Sequence, residues 1–226
     1  MQRKQFFLTL QRICQKNILF LHIKLAFVQQ HPINMSLKIA LFASGSGSNA
    51  ENIVHYFSHH SNFIFPLIIS NKADAFVHTR AKNLDIPSFT FSRDEFADGE
   101  KILSLLKLFN IDCIVLAGFL LKIPQTLILA YTQKIINIHP ALLPKHGGKG
   151  MYGMRVHEAV AEAADTESGI TIHYVNGNYD EGSIIFQTTC PVYPSDTPDM
   201  IAEKVHKLEY EYFPKVIEEI WGKEEV

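Results

Sequence analysis

Short apolar runs alternate with helical patterns along most of the chain. Five of the runs predict buried strands, at residues 38–43, 65–70, 88–91, 113–116 and 135–139. Between them, apolar residues recur at helical spacing, as at Ile102, Leu105 and Leu106. This rhythm is typical of parallel βαβ units. It predicts an α/β fold: a single domain with an open, mostly parallel twisted sheet and helices on both faces.

Helix starts and later elements complete this pattern. Residues 92–94 predict the start of a helix that continues to Phe109. Residues 156–164 are helical in pattern, and residues 169–175 and 184–192 alternate like strands. Thr197 and Pro198 form a good helix start, and an apolar stripe follows at Ile201, Val205, Leu208 and Tyr212.

The fifth strand carries an amide and an imidazole on one face. Asn137 and His139 are two residues apart, so on an extended segment their side chains point the same way. Pro140 ends the strand, because proline cannot donate to a sheet ladder. Open α/β sheets bind ligands at the carboxyl ends of their strands, which favours a functional site here. Taken alone, the stretch also fits a strand with a core histidine and an edge proline.

The first strand ends in a glycine- and serine-rich loop, Ser-Gly-Ser-Gly-Ser-Asn at residues 44–49, and a helix pattern follows. Glycines let backbone N–H groups approach a ligand, and a helix N-terminus supplies partial positive charge. The loop therefore predicts an anion site that fits a phosphate monoester, with a tight structural turn as the alternative. It lacks the nucleoside-triphosphatase pattern, and Asn52 stands where G-x-G-x-x-G has its last glycine, so the evidence for a dinucleotide is weak.

Composition narrows the classes of protein. The 226 residues are 47% apolar and 19% charged, with a formal net charge of -2, which argues against a nucleic-acid-binding surface. Cys14, Cys113 and Cys190 lie far apart, which fits a reducing cytoplasm rather than disulfides or a thiolate metal site. The histidines lack ligand spacings such as H-E-x-x-H, so no metal is expected.

The first 34 residues differ from the rest. Their longest apolar patch, residues 18–28, contains His22 and Lys24 and is too short for a membrane span. No small-residue cleavage site follows, which argues against a secretory signal. We expect residues 1–34 to be an extension outside the catalytic fold, as translation from an upstream start codon would produce. Residues 35–226 are then one domain, cytoplasmic and without a membrane partner.

Other residues carry candidate chemistry with an open alternative. Arg93, at a predicted helix start, can reach a phosphate or carboxylate, although a solvated surface arginine fits too. Residues 145–153 contain four glycines and predict a mobile loop, which fits a substrate lid. His173 fits either a partner in a site or a half-buried strand residue. Residues 176–182 predict a turn-rich loop that presents Asp180 and Glu181.

Six stretches occur in order over residues 38–220: ASGSGSN (43–49), SNKADA (70–75), VLAGF (115–119), NIHPALLP (137–144), GITIHYV (169–175) and DEG (180–182). Together they resemble the phosphoribosylglycinamide formyltransferases, the folate-dependent enzymes of purine biosynthesis. The resemblance implies the formyltransferase fold, with a Rossmann-like N-terminal half. It also implies transfer of a formyl group from the co-substrate 10-formyltetrahydrofolate to the amine of 5-phosphoribosylglycinamide, by a monomer or homodimer whose partners are small molecules.

The resemblance also assigns residues. By position, Asn137, His139 and Asp180 correspond to the family's catalytic trio. The substrate contacts fall on the phosphate loop, on Arg93 and on a helix glutamate otherwise expected to be solvated: Gly47, Ser48, Asn49, Arg93 and Glu209. Folate contacts are implied at Leu120, Leu121, Lys122 and Ile123, and at the backbone from Asn176 to Asp180. Two departures are Leu121, where several members have an arginine, and a longer loop from Lys145.

The expected chemistry follows from these groups. Attack of an amine on a formyl carbon places negative charge on the formyl oxygen, to which the Asn137 amide can donate. Asp180 should raise the pKa of His139 and keep the imidazole protonated, so that it donates to the same oxygen. A water held by Asp180 would relay the amine proton. Neither a covalent enzyme intermediate nor a metal is required.

Three other classes fit less well. A methionyl-tRNA formyltransferase is expected to carry a C-terminal RNA-binding domain and more basic charge, whereas this chain ends soon after Trp221. A formyltetrahydrofolate hydrolase is expected to carry a larger N-terminal regulatory domain. A Rossmann-type dehydrogenase needs a fuller glycine pattern with an acidic residue about twenty positions later, and only Asp74 is near that place.

Overall fold

A computed structural model describes residues 36–222, so the expectation for residues 1–34 lies outside the described residues. The described part contains a seven-stranded sheet made of β1 (Leu37–Phe42), β2 (Phe63–Ser70), β3 (Ser88–Thr90), β4 (Cys113–Leu116), β5 (Ile135–His139), β6 (Glu167–Tyr174) and β7 (Ile184–Pro191). The strand order is β3-β2-β1-β4-β5-β6-β7. Neighbouring strands from β3 to β5 pair in parallel, whereas β6 and β7 are antiparallel. The prediction of an open, mostly parallel sheet is confirmed.

The helices connect these strands and follow them. They are α1 (Ser48–Tyr56), α2 (Val77–Asn83), α3 (Arg93–Ala97), α4 (Glu100–Leu108), α5 (Gln125–Ala130), α6 (Met154–Glu162) and α7 (Pro198–Trp221), with a 3-10 turn at Phe57–His59. The predicted start of α7 is confirmed, since the Thr197 side chain accepts from Met200 N–H. Between residues 36 and 222, no helix combines the length and apolar character that crossing a membrane requires.

Two apolar cores lie on opposite faces of the sheet. Alternate residues of β1 enter different cores, Ile39 and Leu41 on one side and Ala40 and Phe42 on the other. The first core is covered by α1, α2, α6 and α7, and the second by α3, α4 and α5. The predicted arrangement of helices on both faces is therefore confirmed.

The prediction of one helix from Ser92 to Phe109 was wrong. Ser92 does begin a helix, where it forms a reciprocal cap with Glu95, but that helix ends at Ala97. Gly99 then has φ 75°, a left-handed conformation that interrupts helical hydrogen bonding. The Asp98 side chain accepts from Glu100 N–H over 3.0 Å and helps start α4. The break was not predicted, because the spacing of apolar residues in α4 does not show that the backbone becomes left-handed at Gly99.

The strand order reverses between β1 and β4, which are neighbours in the sheet. The loops that follow them are bonded to each other: Ser44 N–H donates to Gly118 O over 3.0 Å, and Leu120 N–H donates to Ser44 Oγ over 2.9 Å. Strand β5 pairs with β4 on the far side from β1. Since ligands bind at such a reversal, the candidate residues after β1, β4 and β5 are expected to share one crevice.

Candidate active site

The loop after β1 turns at Gly47, and α1 begins at Ser48. Gly47 has φ 73°, and a Cβ there would lie 2.4 Å from Val77 Cγ2, so both the conformation and the space favour glycine. Arg80 Nε donates to Ser46 O over 2.9 Å, which ties the loop to α2. The loop also lines a cavity, to which the N-terminus of α1 contributes. This geometry is that of an anion-binding site.

Two residues of α7 lie beside this loop. Asn49 Nδ2 donates to Glu209 Oε2 over 2.9 Å, and Ser48 Oγ lies 3.3 Å from His206 Nε2. Burial raises the pKa of the Glu209 carboxyl to about 7, because it outweighs the opposing hydrogen bond from Asn49. Burial also lowers the pKa of His206. The structure therefore places the predicted Glu209 next to the predicted loop, and adds His206, which sequence reasoning missed.

The three residues of the predicted trio come together at the cavity. Asn137 and His139 lie on β5, and both line the cavity as their spacing suggested. Asp180 belongs to the loop between β6 and β7, and its Oδ2 lies 3.6 Å from His139 Nδ1. Asp180 has φ 56°, a left-handed conformation that a residue with a side chain adopts only where its surroundings hold it. Its Oδ2 accepts from Gly148 N–H over 2.9 Å.

His173, on β6, contacts two members of the trio. It lies opposite Asn137 in the antiparallel pairing of β5 and β6. Its Nδ1–H donates to Tyr174 O over 2.8 Å, so in the neutral ring Nε2 accepts from Asn137 Nδ2 over 3.1 Å. The same Nε2 lies 3.7 Å from Asp180 Oδ1. Of the two interpretations of His173, this geometry favours a partner in the site, which orients the Asn137 amide.

The net pKa shift of His139 is opposite in direction to the expectation. Burial lowers the pKa of this imidazole, and outweighs the raising effects of Asp180 and the His146 carbonyl. His139 Nε2–H donates to His146 O over 2.8 Å, so the neutral ring presents a bare Nδ1 to Asp180. Asp180 thus acts on this pKa in the expected direction, but burial has the larger effect, so the net shift is opposite to the expected one. The side chain is only 4% exposed, which makes desolvation the larger effect.

The Asp180 carboxyl is shifted in the direction that keeps it charged. Burial alone would raise its pKa, but the nearby imidazoles of His173 and His139 and the Gly148 N–H together lower it. The pKa values of the two cavity carboxyls, Asp180 and Glu209, are therefore pushed in opposite directions. Such a separation is typical of sites in which two carboxyl groups have different roles.

A cavity of about 550 Å³ joins the phosphate-type loop to the trio. Arg93 lines it, as do basic side chains that sequence reasoning did not single out: Lys149, Arg155, His157 and His206. Lys149, Arg155 and His157 could have been found from the sequence, because they lie in or just after the glycine-rich stretch that follows β5. His157 is 6% exposed, and burial lowers its pKa to about 4. Arg93, Lys149 and Arg155 are the cationic side chains of this lining, and they suit an anionic ligand.

The residues predicted to contact folate are only partly brought to this cavity. Leu120 and Asp180 line it, whereas Leu121, Lys122, Ile123 and Asn176 do not. Ile123 is 4% exposed within an apolar core, and Leu121 packs against the same core. The Asn176 side chain serves its own loop, donating to Glu181 O over 3.1 Å and accepting from Asn178 N–H over 2.9 Å. Their role in folate binding stays a prediction.

Residues 37–217 match a family model described as formyl transferase. A phosphoribosylglycinamide formyltransferase, chloroplastic, of Arabidopsis thaliana is 40% identical over 186 residues, which are 80% of this chain and 64% of that relative. The phosphoribosylglycinamide formyltransferase of Bacillus subtilis is 38% identical over 190 residues, 82% of this chain and 95% of the relative. This chain thus spans less than two thirds of the plant relative and nearly all of the bacterial one.

Solved structures show the same fold. A crystal structure of phosphoribosylglycinamide formyltransferase from Anaplasma phagocytophilum superposes with a TM-score of 0.75 at 34% sequence identity. The superposition covers 82% of this chain and 87% of the other. The open sheet described above is therefore the sheet of these proteins.

Proposed function

This chain belongs to the formyl transferase family, and on that premise we propose that it is a phosphoribosylglycinamide formyltransferase. In the proposed reaction, the formyl group of 10-formyltetrahydrofolate passes to the amine of 5-phosphoribosylglycinamide. The observation that carries the proposal is one cavity that joins an anion-binding loop, Gly47–Asn49, to the side chains of Asn137, His139 and Asp180. A substrate with a phosphate at one end and an amine at the other suits such a cavity.

The phosphate of the amine substrate binds at the N-terminus of α1. The loop conformation at Gly47 supports this role, because it brings backbone N–H groups and the positive end of the helix dipole to the cavity. His206 Nε2, near Ser48 Oγ, and the Arg93 side chain line the same cavity and can add donors. The ribose hydroxyls are assigned to Glu209, which Asn49 holds beside the loop.

The formyl donor binds along the segment that follows β4. Residues 117–120 and Ile138 line the cavity and give it an apolar wall, which suits a flat ring. The hydrogen bond from Leu120 N–H to Ser44 Oγ holds this segment to the loop after β1. The donor is a substrate of the reaction, and the folate role of Leu121, Lys122, Ile123 and Asn176 remains part of the proposal.

The reaction balances without a metal or a covalent enzyme intermediate. The amine nitrogen attacks the formyl carbon, a C–N bond forms, and the C=O π electrons move to oxygen. The bond between that carbon and the folate nitrogen then breaks, and the oxygen lone pair restores the carbonyl. One proton leaves the attacking amine, and one proton reaches the folate nitrogen. The protein therefore has to stabilise the oxyanion and carry a proton.

Asn137 donates to the oxyanion. Its amide is held by His173 Nε2 over 3.1 Å, so one N–H is engaged and the group is oriented before the substrate arrives. Because the amide lines the cavity, its second N–H can reach a substrate oxygen. A donor fixed in advance stabilises developing charge without reorganisation.

His139 and Asp180 carry the proton. In the neutral ring Nδ1 is bare and faces the ionised Asp180 at 3.6 Å. As the formyl oxygen becomes negative, its charge adds to that of Asp180 and raises the proton affinity of Nδ1. The amine proton then passes, through a water held by Asp180, to Nδ1, and from there to the leaving folate nitrogen. His139 is thus charged during the reaction, although the pKa of the ring is lowered in this structure.

One assay tests the proposed function. Purified protein is mixed with 10-formyltetrahydrofolate carrying a ¹³C-formyl group, with and without phosphoribosylglycinamide, and the products are followed by mass spectrometry. We expect label in the amide of the phosphorylated product, and donor consumption only when the amine is present. Release of labelled formate without the amine would instead indicate a hydrolase. If the donor is not consumed at all, both the transferase and the hydrolase assignments are wrong.

Replacing Arg93 with alanine is expected to weaken binding of the phosphorylated amine. Loss of a charge-assisted hydrogen bond should raise its KM about tenfold or more and leave kcat within about twofold. Steady-state kinetics with each substrate varied in turn measure this. The control is Lys107→Ala, an exposed cation on α4 away from the cavity, which should match wild type. An unchanged KM for the amine substrate contradicts the assignment.

Glu209 is expected to make stability depend on pH. Its pKa is about 7 in the folded protein against an ordinary value of 4.5, so the folded state binds this proton more tightly. Its contribution to stability therefore falls as pH rises from about 4.5 to about 7 and is constant above that. Relative to wild type, Glu209→Gln should gain about 2–3 kcal/mol in free energy of unfolding between pH 5 and pH 8.

Urea unfolding at both pH values measures this difference. Glu203→Gln, an exposed glutamate on the same helix, is the control and should show no such change. A Glu209→Gln variant that tracks wild type at both pH values contradicts the raised pKa.

We also propose that residues 35–226 hold the catalytic unit and that residues 1–34 lie outside it. The family match supports this, because it begins at residue 37. A chain that starts at Met35 should keep full activity, and an inactive or insoluble product counts against the division. A cytoplasmic location, for which the cysteine spacing argues, and a monomer or homodimer belong to the same proposal.

A further inference from the structure

Residues 146–148, in the loop that follows β5, form a turn whose backbone is hydrogen-bonded to both His139 and Asp180. The carbonyl of His146 accepts from His139 Nε2–H over 2.8 Å, and two residues later Gly148 N–H donates to Asp180 Oδ2 over 2.9 Å. His139 Nδ1 and Asp180 Oδ2 lie 3.6 Å apart, and the same short backbone segment is hydrogen-bonded to both side chains. Any movement of residues 146–148 changes the relative position of the two side chains.

The backbone conformation of this turn is unfavourable at His146. His146 has φ 52° and Gly148 has φ 91°, so both lie in the left-handed region. Glycine adopts this conformation readily, whereas histidine carries a Cβ that makes it unfavourable. A residue is kept in such a conformation only when other contacts hold it. The turn therefore needs an anchor at His146.

The anchor is a hydrogen bond between the side chains of His146 and Asp165. His146 Nε2–H donates to Asp165 Oδ2 over 2.7 Å, and the two side chains are only 15% and 17% exposed. The second oxygen, Asp165 Oδ1, accepts from Lys145 Nζ over 2.9 Å. Asp165 lies just beyond the end of α6, so the pair ties the turn to a separate part of the fold. Neither His146 nor Asp165 lines the cavity that contains Asn137, His139 and Asp180.

We propose that His146 and Asp165 are positioning residues, whose hydrogen bond fixes the 146–148 turn and thereby sets the tautomer of His139 and its alignment with Asp180. Neither residue touches the substrates; both act through the backbone. The effect on turnover rests on the proposed function, whereas the effect on the tautomer does not.

The tautomer is the direct consequence. A carboxylate next to Nδ1 favours a proton on that nitrogen, because a charge-assisted hydrogen bond can then form. The His146 carbonyl opposes this by accepting from Nε2–H. When the turn is anchored, the hydrogen bond to the His146 carbonyl keeps the proton of the neutral ring on Nε2. Nδ1 then stays unprotonated and can receive the reacting proton. With the anchor lost, the carbonyl moves and the neutral ring shifts its proton toward Nδ1.

The test uses full-length protein and the variants Asp165→Ala, His146→Ala and their double mutant. His146→Ala removes the imidazole but keeps a Cβ, so the turn loses its anchor while its left-handed backbone stays unfavourable. ¹⁵N NMR of histidine-labelled protein reports the tautomer of His139, whose signals are assigned by their loss in His139→Ala. We expect Nε2–H in wild type and a shift toward Nδ1–H in each variant.

Kinetics test whether the two residues act through one contact. Each single variant should lower kcat about tenfold with both KM values within about twofold, as for other orienting partners. The double mutant should also lose about tenfold rather than a hundredfold, because the second change removes an interaction already absent. Losses that multiply, or singles that leave both tautomer and kcat unchanged, overturn the proposal.

Two controls separate positioning from folding. Lys145→Met removes the exposed partner of Asp165 and leaves the pair with His146, so wild-type tautomer and kcat are expected. Asp165→Asn keeps an acceptor for His146 Nε2–H and should restore most of the activity lost in Asp165→Ala. If Asp165→Ala does not fold, the comparison of Asp165→Asn with His146→Ala decides the question. Wild type without amine-dependent formyl transfer rejects the proposed function, while the NMR result still decides the tautomer.

Discussion

Replacing Asp180 with asparagine is expected to lower kcat on the order of a thousandfold while leaving both KM values within a few fold. In the proposed mechanism the carboxylate holds the proton-relay water and adds negative charge beside His139 Nδ1, and positioned acid–base groups contribute on this scale. Asparagine keeps an oxygen that can accept from Gly148 N–H, and it tolerates the left-handed backbone at φ 56°. The fold should therefore survive.

Single-turnover kinetics measure the chemical step in this variant. NMR titration gives a second readout, because the Asp180 charge raises the pKa of His139 and its loss should lower that pKa further. Glu181→Gln, which neutralises the exposed neighbouring carboxylate, is the matched control. Turnover close to wild type in Asp180→Asn would remove Asp180 from the mechanism.

Replacing His139 with alanine is expected to lower kcat by about a hundred- to ten-thousandfold, the range that a positioned acid–base group contributes. Substrate binding should change much less, because the anion-binding loop and Glu209 belong to other elements. Added imidazole should recover part of the activity by entering the space left by the buried ring.

His59→Ala is the control for this prediction, since His59 is an exposed histidine in the 3-10 turn outside the cavity. Thermal unfolding must show that His139→Ala is folded at the assay temperature. A folded variant with wild-type turnover would show that the imidazole carries no proton in the reaction.

Local patterns were sufficient for the elements and for part of the site. The apolar runs located the strands from β1 to β7, and the spacing of Asn137 and His139 put both at the cavity. The glycine- and serine-rich loop was found because glycine and a following helix start are both visible within a few residues. These features depend on neighbours in the chain, which is why periodicity and turn chemistry detect them.

Other features depended on contacts between distant segments. His206 reaches Ser48 from α7, and Asp165 reaches His146 from beyond α6. No spacing rule connects such residues, because loop closure brings them together only when the sheet and helices are packed. The break at Gly99 was missed for a different reason: the apolar stripe of α4 is continuous with a capped start at Ser92, and only the backbone shows the turn.

The sequence by itself determined the order of strands and helices, the amphipathic faces and the family, because these follow from residue types at short spacing and from motifs in order. Only the tertiary structure decided the direction of the pKa shift of His139. The sequence places a histidine near a carboxylate, but the pKa depends on how much water the folded protein excludes, and burial here outweighs Asp180. It also decided which backbone atoms hold that pair, since residues 146–148 meet His139 and Asp180 only once β5 and the β6–β7 loop are packed together.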